Sequence, residues 1–264
     1  MGRVTQAIFI KGMKSGAKQE PMRRFSLLRT WSAAVIVSVG LSATLLLPIV
    51  PASAAVPKCF GKTPTIVGTA GADIIQGTSA NNVIVTLGGA DEVHGNGGND
   101  SICGGDGDDQ TLSGDEGADR ISGGNGDDGA IWGGRGPDVL NGDAGDDFLW
   151  GFGAADTLHG GVGIDYTEGG SGSDHIYGDA GGDRLLDLED CCSADPDQPH
   201  YTDYLYGGSG NDELTAYSYK GGGEPKAPDY LDGGAQPTGG SDNCSADEED
   251  HLNDCEVITI VVHD

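Results

Sequence analysis

From Val67 onward, single aliphatic residues recur at nine-residue intervals, two of them stretched to ten, and nearly all stand two places after an acid. Ile75, Ile84, Val93, Ile102, Leu112, Ile121, Ile131, Leu140, Leu149, Leu158, Ile176 and Leu185 mark the series, and Thr167 alone interrupts it. Glycine opens nearly every unit, from Gly68 to Gly178, and usually returns three places on, as at Gly71, Gly98, Gly107 and Gly126. The unit reads G-G-x-G-x-D-x-U-x, with U aliphatic, and it runs thirteen times in succession. Its first six residues suit a tight turn. Its last three alternate polar, aliphatic, polar, the period of a short strand with one inward side chain. Two units make a flattened coil of 18 residues. Coils stacked at the strand spacing of about 4.8 Å pair each backbone with the coils above and below. The predicted fold is all-β: a parallel β-roll solenoid built from nine-residue repeats, two per coil.

The rhythm breaks after Asp183 at LEDCCSADPDQPHYT and resumes at Asp203, 20 residues on, then at Asp212 and, past SYKGGGEPKAP, at Asp229. The expected organisation is an N-terminal cap at 55–67, a regular roll at 68–186, degenerate repeats with loop insertions at 187–241 and a C-terminal cap at 242–264. In that last segment VITIVV (Val257 to Val262) would cover the open edge of the final coil. Units five and seven each carry one extra residue between acid and aliphatic, Asp109 to Leu112 and Asp128 to Ile131. They fall in one column on neighbouring coils, which predicts a stacked bulge.

Residues 1–54 follow another pattern. Trp31 to Val50 is nearly continuous apolar sequence, preceded by Arg23, Arg24 and Arg29 and followed by Ala52-Ser53-Ala54. This reads as a secretory signal with an A-x-A cleavage site; an uncleaved anchor helix is the weaker alternative. Met22 would begin a signal of more usual length. The expected location is extracellular, with no membrane insertion after cleavage.

Composition narrows the class further. Of 264 residues, 48 are glycine, 42 acidic and 14 basic, with 36% hydrophobic, too poor in aliphatics for a sandwich, bundle or doubly wound sheet. The formal charge of −28 becomes −34 once the segment to Ala54 is removed, leaving 7 basic residues against 41 acidic. That charge excludes nucleic acid as a partner and points to cations. Six cysteines suggest up to three bridges among 15 connectivities, and none has C-x-x-C spacing.

The acids carry the candidate chemistry. On the coil, Asp73, Asp91, Asp109, Asp128, Asp147, Asp165 and Asp183 form one column, and Asn82, Asp100, Asp119, Asp138, Asp156 and Asp174 the other, with Asp203 and Asp212 following the interruption. Carboxylates one coil apart repel by about 0.8 kcal/mol per neighbour in water and more at a partly dried surface. A hard divalent cation between turns would take carboxylate oxygens from two coils and carbonyl oxygens from the glycine loops. Calcium accepts such an all-oxygen shell; magnesium wants rigid octahedral geometry, and zinc prefers the His and Cys that these turns lack. Pairing each acid with the one a coil later gives 11 sites, whose +22 offsets most of −34. Folding and metal binding should then be one event.

The nonapeptide resembles the calcium-binding repeat of the RTX, or haemolysin-type, family over about 117 uninterrupted residues, and about 165 with the degenerate copies. The resemblance implies a β-roll with calcium in the turns, held by the aspartates named above, with Asn82 as a weaker position. The opening KCFGKTPTIVGTAGADIIQGT and the closing D-N-C and N-D-C-E also look similar to small secreted actinobacterial calcium-binding proteins. That similarity implies Cys59 with Cys103 and Cys244 with Cys255, leaving Cys191 with Cys192. Unlike the large toxin members, the chain reads as having an N-terminal signal and no room for an effector domain, which argues against pore formation.

Catalytic motifs are missing. His94, His159, His175, His200, His251 and His263 are scattered without H-E-x-x-H, and no G-x-S-x-G occurs. Gly124 to Gly129 matches G-x-G-x-x-G, but Asp127 and Asp128 inside it would repel a pyrophosphate and the repeat accounts for its glycines. Trp132 and Trp150 should stack one coil apart on an outer face, as a cross-strand ladder or as a sugar platform. The expected function is a non-enzymatic, secreted calcium-binding protein with a structural or interaction role. The alternative is an extracellular enzyme or adhesin that uses the loops at 186–202 and 216–228, with a cell-surface or glycan partner.

Overall fold

The computed structural model describes residues 57–188, 201–217, 228–235, 241–246 and 250–260. The expected signal segment, Cys191, Cys192 and most of both inserted loops lie outside the described residues. Those described form twenty strands, from Ile66–Val67 to Val257–Ile260, in two parallel ten-stranded sheets that take alternate strands of the chain. No helix occurs among them, and none is long and apolar enough to cross a membrane. Each strand pairs with the strand two further along, so Leu149 lies between Ile131 and Thr167, and Leu158 between Leu140 and Ile176. The predicted β-roll, two repeats per coil, is what the chain forms.

Strand alternation decides which side chains meet inside. In Val139–Ala144 and His175–Ala180 the residue two after the acid and the glycine two further on are buried, while their neighbours are partly exposed. The aliphatics therefore stack in two columns. Ile84, Ile102, Ile121, Leu140, Leu158, Ile176, Leu205 and Leu231 line one sheet; Val93, Leu112, Ile131, Leu149, Leu185 and Leu214 line the other, all at most 1% exposed. Each contributes about 1.5–3 kcal/mol by leaving water. Thr167 fills its place in the second column fully buried, and its hydroxyl has no hydrogen-bond partner.

The extra residues of units five and seven form the stacked bulge. Gln110 and Thr111 both donate their N–H to the Asp91 carbonyl, at 2.9 and 3.3 Å, and one coil on Gly129 donates to the Asp109 carbonyl at 2.8 Å. The interruption after Leu188 leaves pairing intact: Tyr204–Tyr206 lies in register beside His175–Ala180, and Glu213–Tyr217 beside Arg184–Leu188. Rungs continue through Asn243–Ala246 and His251–Asn253 to Val257–Ile260, the last strand of its sheet. Disulfides join Cys59 to Cys103 and Cys244 to Cys255, the two pairs that the resemblance implies.

Candidate metal centre

At the end of every turn the sixth residue of the repeat is held by the next coil in the same way. The Asp128 N–H donates to Asp147 Oδ1 at 2.8 Å, and the Asp128 carbonyl accepts from the Phe148 N–H at 3.0 Å. Repetition of this contact builds two ladders. One runs Asp73, Asp91, Asp109, Asp128, Asp147, Asp165, Asp183, Asp212, Asp242 and ends on Glu256 Oε2. The other runs Asn82, Asp100, Asp119, Asp138, Asp156, Asp174, Asp203, Asp229 and Asp250. Every site residue expected from the sequence lies on one of them.

Each ladder carboxylate thus has one oxygen occupied by a backbone N–H. At eleven of them the other is orphaned. Oδ2 of Asp91, Asp100, Asp109, Asp119, Asp128, Asp138, Asp147, Asp156, Asp165, Asp183 and Asp212 is buried and accepts no hydrogen bond. Burying a charged oxygen without a partner costs several kcal/mol, so this pattern repeated along a roll calls for a ligand. A second oxygen source lies beside it. A Cβ placed on Gly151 would meet Asp156 Oδ2 at 2.5 Å and the Gly169 carbonyl oxygen at 2.6 Å; one on Gly178 would meet Asp183 Oδ2 and the Gly207 carbonyl, both at 2.6 Å. Glycine there keeps open a cradle lined by carboxylate and carbonyl oxygen. That donor set fits a hard cation, and calcium before zinc.

The first rungs differ. Asp73 Oδ2 accepts from the Thr69 N–H and hydroxyl at 2.5 and 3.0 Å, and Asn82 Oδ1 accepts from the Thr78 N–H at 2.7 Å while its Nδ2 donates to the Thr78 hydroxyl at 3.2 Å. Threonine in the second position of these two units supplies the donors that later units lack, so the orphaned oxygen begins at Asp91.

Without a bound cation the carboxyls are pushed far from their ordinary range. Burial, opposed by the backbone hydrogen bond and reinforced by neighbouring aspartates, raises Asp128, Asp147 and Asp183 to about 7. The same causes raise Asp138 to about 7 and Asp156 to about 8. A cation at the orphaned oxygens would reverse that shift by favouring the ionised form.

A third set of contacts was not expected. The residue before the ladder acid accepts, through its side chain, the N–H of its counterpart one coil on: Asn81 from Asn99, Asp108 from Asp127 at 3.1 Å and Asp127 from Asp146 at 3.0 Å. This exposed ladder was visible in the sequence as Asn or Asp at the fifth position of many units. Asp229 and Asp242 are also rungs; insertions displace them from the nine-residue spacing, and only the acid-x-apolar pattern marks them.

The outer faces hold the remaining candidates. His159 stacks on Tyr177 at 4.5 Å, His175 on Tyr204 at 4.6 Å and His251 on Tyr230 at 4.7 Å. These are cross-strand ring ladders away from the acid columns. Trp132 and Trp150 are register partners as expected, but Phe152 mediates their contact, edge-on to Trp132 at 6.0 Å and parallel to Trp150 at 4.9 Å.

Comparison with known proteins agrees with this geometry. No curated protein matches the chain. The family model described as RTX calcium-binding nonapeptide repeat (4 copies) matches residues 65–84, 76–111, 105–129, 132–167, 168–186 and 201–218, just over half of the chain. Its repeats are the turn-and-strand units whose acids form the two ladders, and the chain belongs to this family of RTX calcium-binding repeat proteins.

Proposed function

We propose that this is a secreted protein that binds several calcium ions between its coils, folds as it binds them, and serves a structural or interaction role. The observation that carries this reading is the file of buried, orphaned Oδ2 atoms from Asp91 onward. Asp91, Asp100, Asp109, Asp119, Asp128, Asp138, Asp147, Asp156, Asp165, Asp174, Asp183, Asp203 and Asp212 would hold the ions together with glycine carbonyls; Asp73 and Asn82 would close the first coil through threonine. Bound calcium supplies positive charge that neutralises neighbouring rungs and draws two coils together. The protein's own part is to fix one carboxylate oxygen with a backbone N–H, leave the other open at rungs such as Asp128 and Asp147, and keep side chains out of the cradle.

Secretion is supported by the apolar segment before Ala52-Ser53-Ala54 and by two disulfides, which persist in oxidising compartments. An interaction role is favoured by the exposed aromatic surface, where Phe148, Trp150 and Phe152 are 53%, 39% and 41% exposed. Far-ultraviolet circular dichroism during a calcium titration, with magnesium as control, tests the central claim. The expected result is a cooperative gain of strand with calcium and little with magnesium. A strand signal that survives chelation unchanged would overturn it.

A further inference from the structure

Beside the turn that follows the second sheet, an inward column of glycines runs Gly77, Gly95, Gly114, Gly133, Gly151 and Gly169. Register then puts Asp187 in the next place, since its neighbour Leu186 pairs with Glu168, the neighbour of Gly169. A Cβ on any of those six glycines would come within 3 Å of the side-chain oxygen of the ladder residue five places on. A side chain in this column is therefore directed at the ladder. For Asp187 the corresponding rung is Asp203, the first acid after the interruption.

Asp187 is 2% exposed, Asp174 0% and Asp203 1%, and one carboxylate oxygen from each lies within 4.8 Å of the others. Neither oxygen of Asp187 accepts from an N–H or hydroxyl, and the carboxyl within hydrogen-bonding reach is that of Asp203. The one cation on its strand, Arg184, is turned outward to Glu213 at 3.2 Å. Elsewhere a turn offers a ladder carboxylate and an empty glycine cradle; here a third carboxylate fills the cradle, buried and aimed at the other two. A buried Asp187 carboxylate beside two other acids is stable in its ionised form only with a counter-charge.

We propose that Asp174, Asp187 and Asp203 form a separate three-carboxylate cation site that binds calcium more tightly than the other turns do. Added ligand charge on a rigid frame raises calcium affinity, and here the frame is two neighbouring coils. The site ties the last regular coil to the first coil after the interruption, so the ion it holds is the first to bind. This deepens the function proposed above and rests on it.

Calorimetric titration of the purified protein with calcium, alongside Asp187→Asn and Asp187→Gly, tests the site. Asp187→Asn keeps the shape and removes the charge; Asp187→Gly restores the column's own residue and carries the test if the first variant folds poorly. The expected wild-type isotherm has one event at least about tenfold tighter than the rest. That event is lost in both variants, while the remaining ions still bind and strand still forms. An isotherm unchanged by both variants overturns the site and leaves Asp187 holding a proton instead of a metal. A wild-type protein that takes up no calcium overturns the wider reading and this site with it.

Discussion

The stretch 68–188 and the stretch 201–260 build the same roll from different amounts of chain. In the first, ladder partners are 18 or 19 residues apart; across and beyond the interruption the separations are 29, 29, 26, 30, 21 and, at the closing Glu256, 14. The contact itself hardly changes: Asp174 to Asp203 is 2.7 Å and Asp147 to Asp165 is 2.9 Å. A rung is thus defined by an acid and an inward residue, in most rungs apolar, two places later or three at the bulges, and surplus chain leaves the stack between rungs. The stretches differ at the inward column beside the second sheet, where glycine in the first gives way to Asp187 and then Ala216.

The sharpest way to break this equivalence is to remove rungs on each side. Asp147→Ala leaves the Asp128 N–H without its acceptor and deletes one orphaned oxygen; Asp212→Ala does the same to Asp183. Each should cost about 1–3 kcal/mol and raise the calcium midpoint for strand formation several-fold, by similar amounts in both stretches. A large effect in only one stretch would show that the ladders do not act as single units.

Acidity gives the next largest effect. Asp128, Asp138, Asp147 and Asp183 stand at about 7 and Asp156 at about 8 in the metal-free roll, above the ordinary value of 3.8. Between those limits the folded chain binds more protons than the unfolded chain, so stability without calcium falls as pH rises through the window. Calcium-free protein should show more strand at pH 5 than at pH 8, by circular dichroism in chelator. Because all five of these groups lie in the regular stretch, exchange protection there should respond more than in 201–260.

A smaller effect separates the inward columns. Gly151→Ala places a methyl against Asp156 Oδ2 and the Gly169 carbonyl and should lower stability by about 1–3 kcal/mol in urea with calcium present. Ala216→Gly, in the same column after the interruption, should change it by less than about 1 kcal/mol. Trp132→Ala should barely move the calcium midpoint, since its ring contacts Phe152 on the outer face and touches neither ladder.

Much of this was legible because the repeat is so regular. Ile84, Leu140 and their kin announced the core, and the nine-residue rhythm fixed which acids share a column. The disulfide pairs came from resemblance; spacing alone left them open. Less was visible where two signals compete. Asp229 and Asp242 lost their spacing to insertions. Asp187 sits in a segment that reads as the start of a break, yet the backbone holds its strand for one more inward residue. Nothing in the repeat pattern sets Thr69 and Thr78 apart from other turn residues, and the hydrogen bonds separate Asp73 and Asn82 from the acids that follow. Phe152 takes a left-handed φ of 74° at a place that Gly134 and Gly170 fill in adjacent coils, and no period predicts that choice.

Every bond of the two buried acid ladders also points the same way, from an amide in the earlier coil to a carboxylate in the later one, opposite to the exposed Asn and Asp ladder. For a polypeptide emerging amino end first, a rung therefore stays incomplete until the following coil has come out, and assembly trails emergence by one coil. The threonine-closed first rungs give that vectorial zipper a starting tooth needing nothing upstream, and Glu256, with its longer side chain, supplies the final catch.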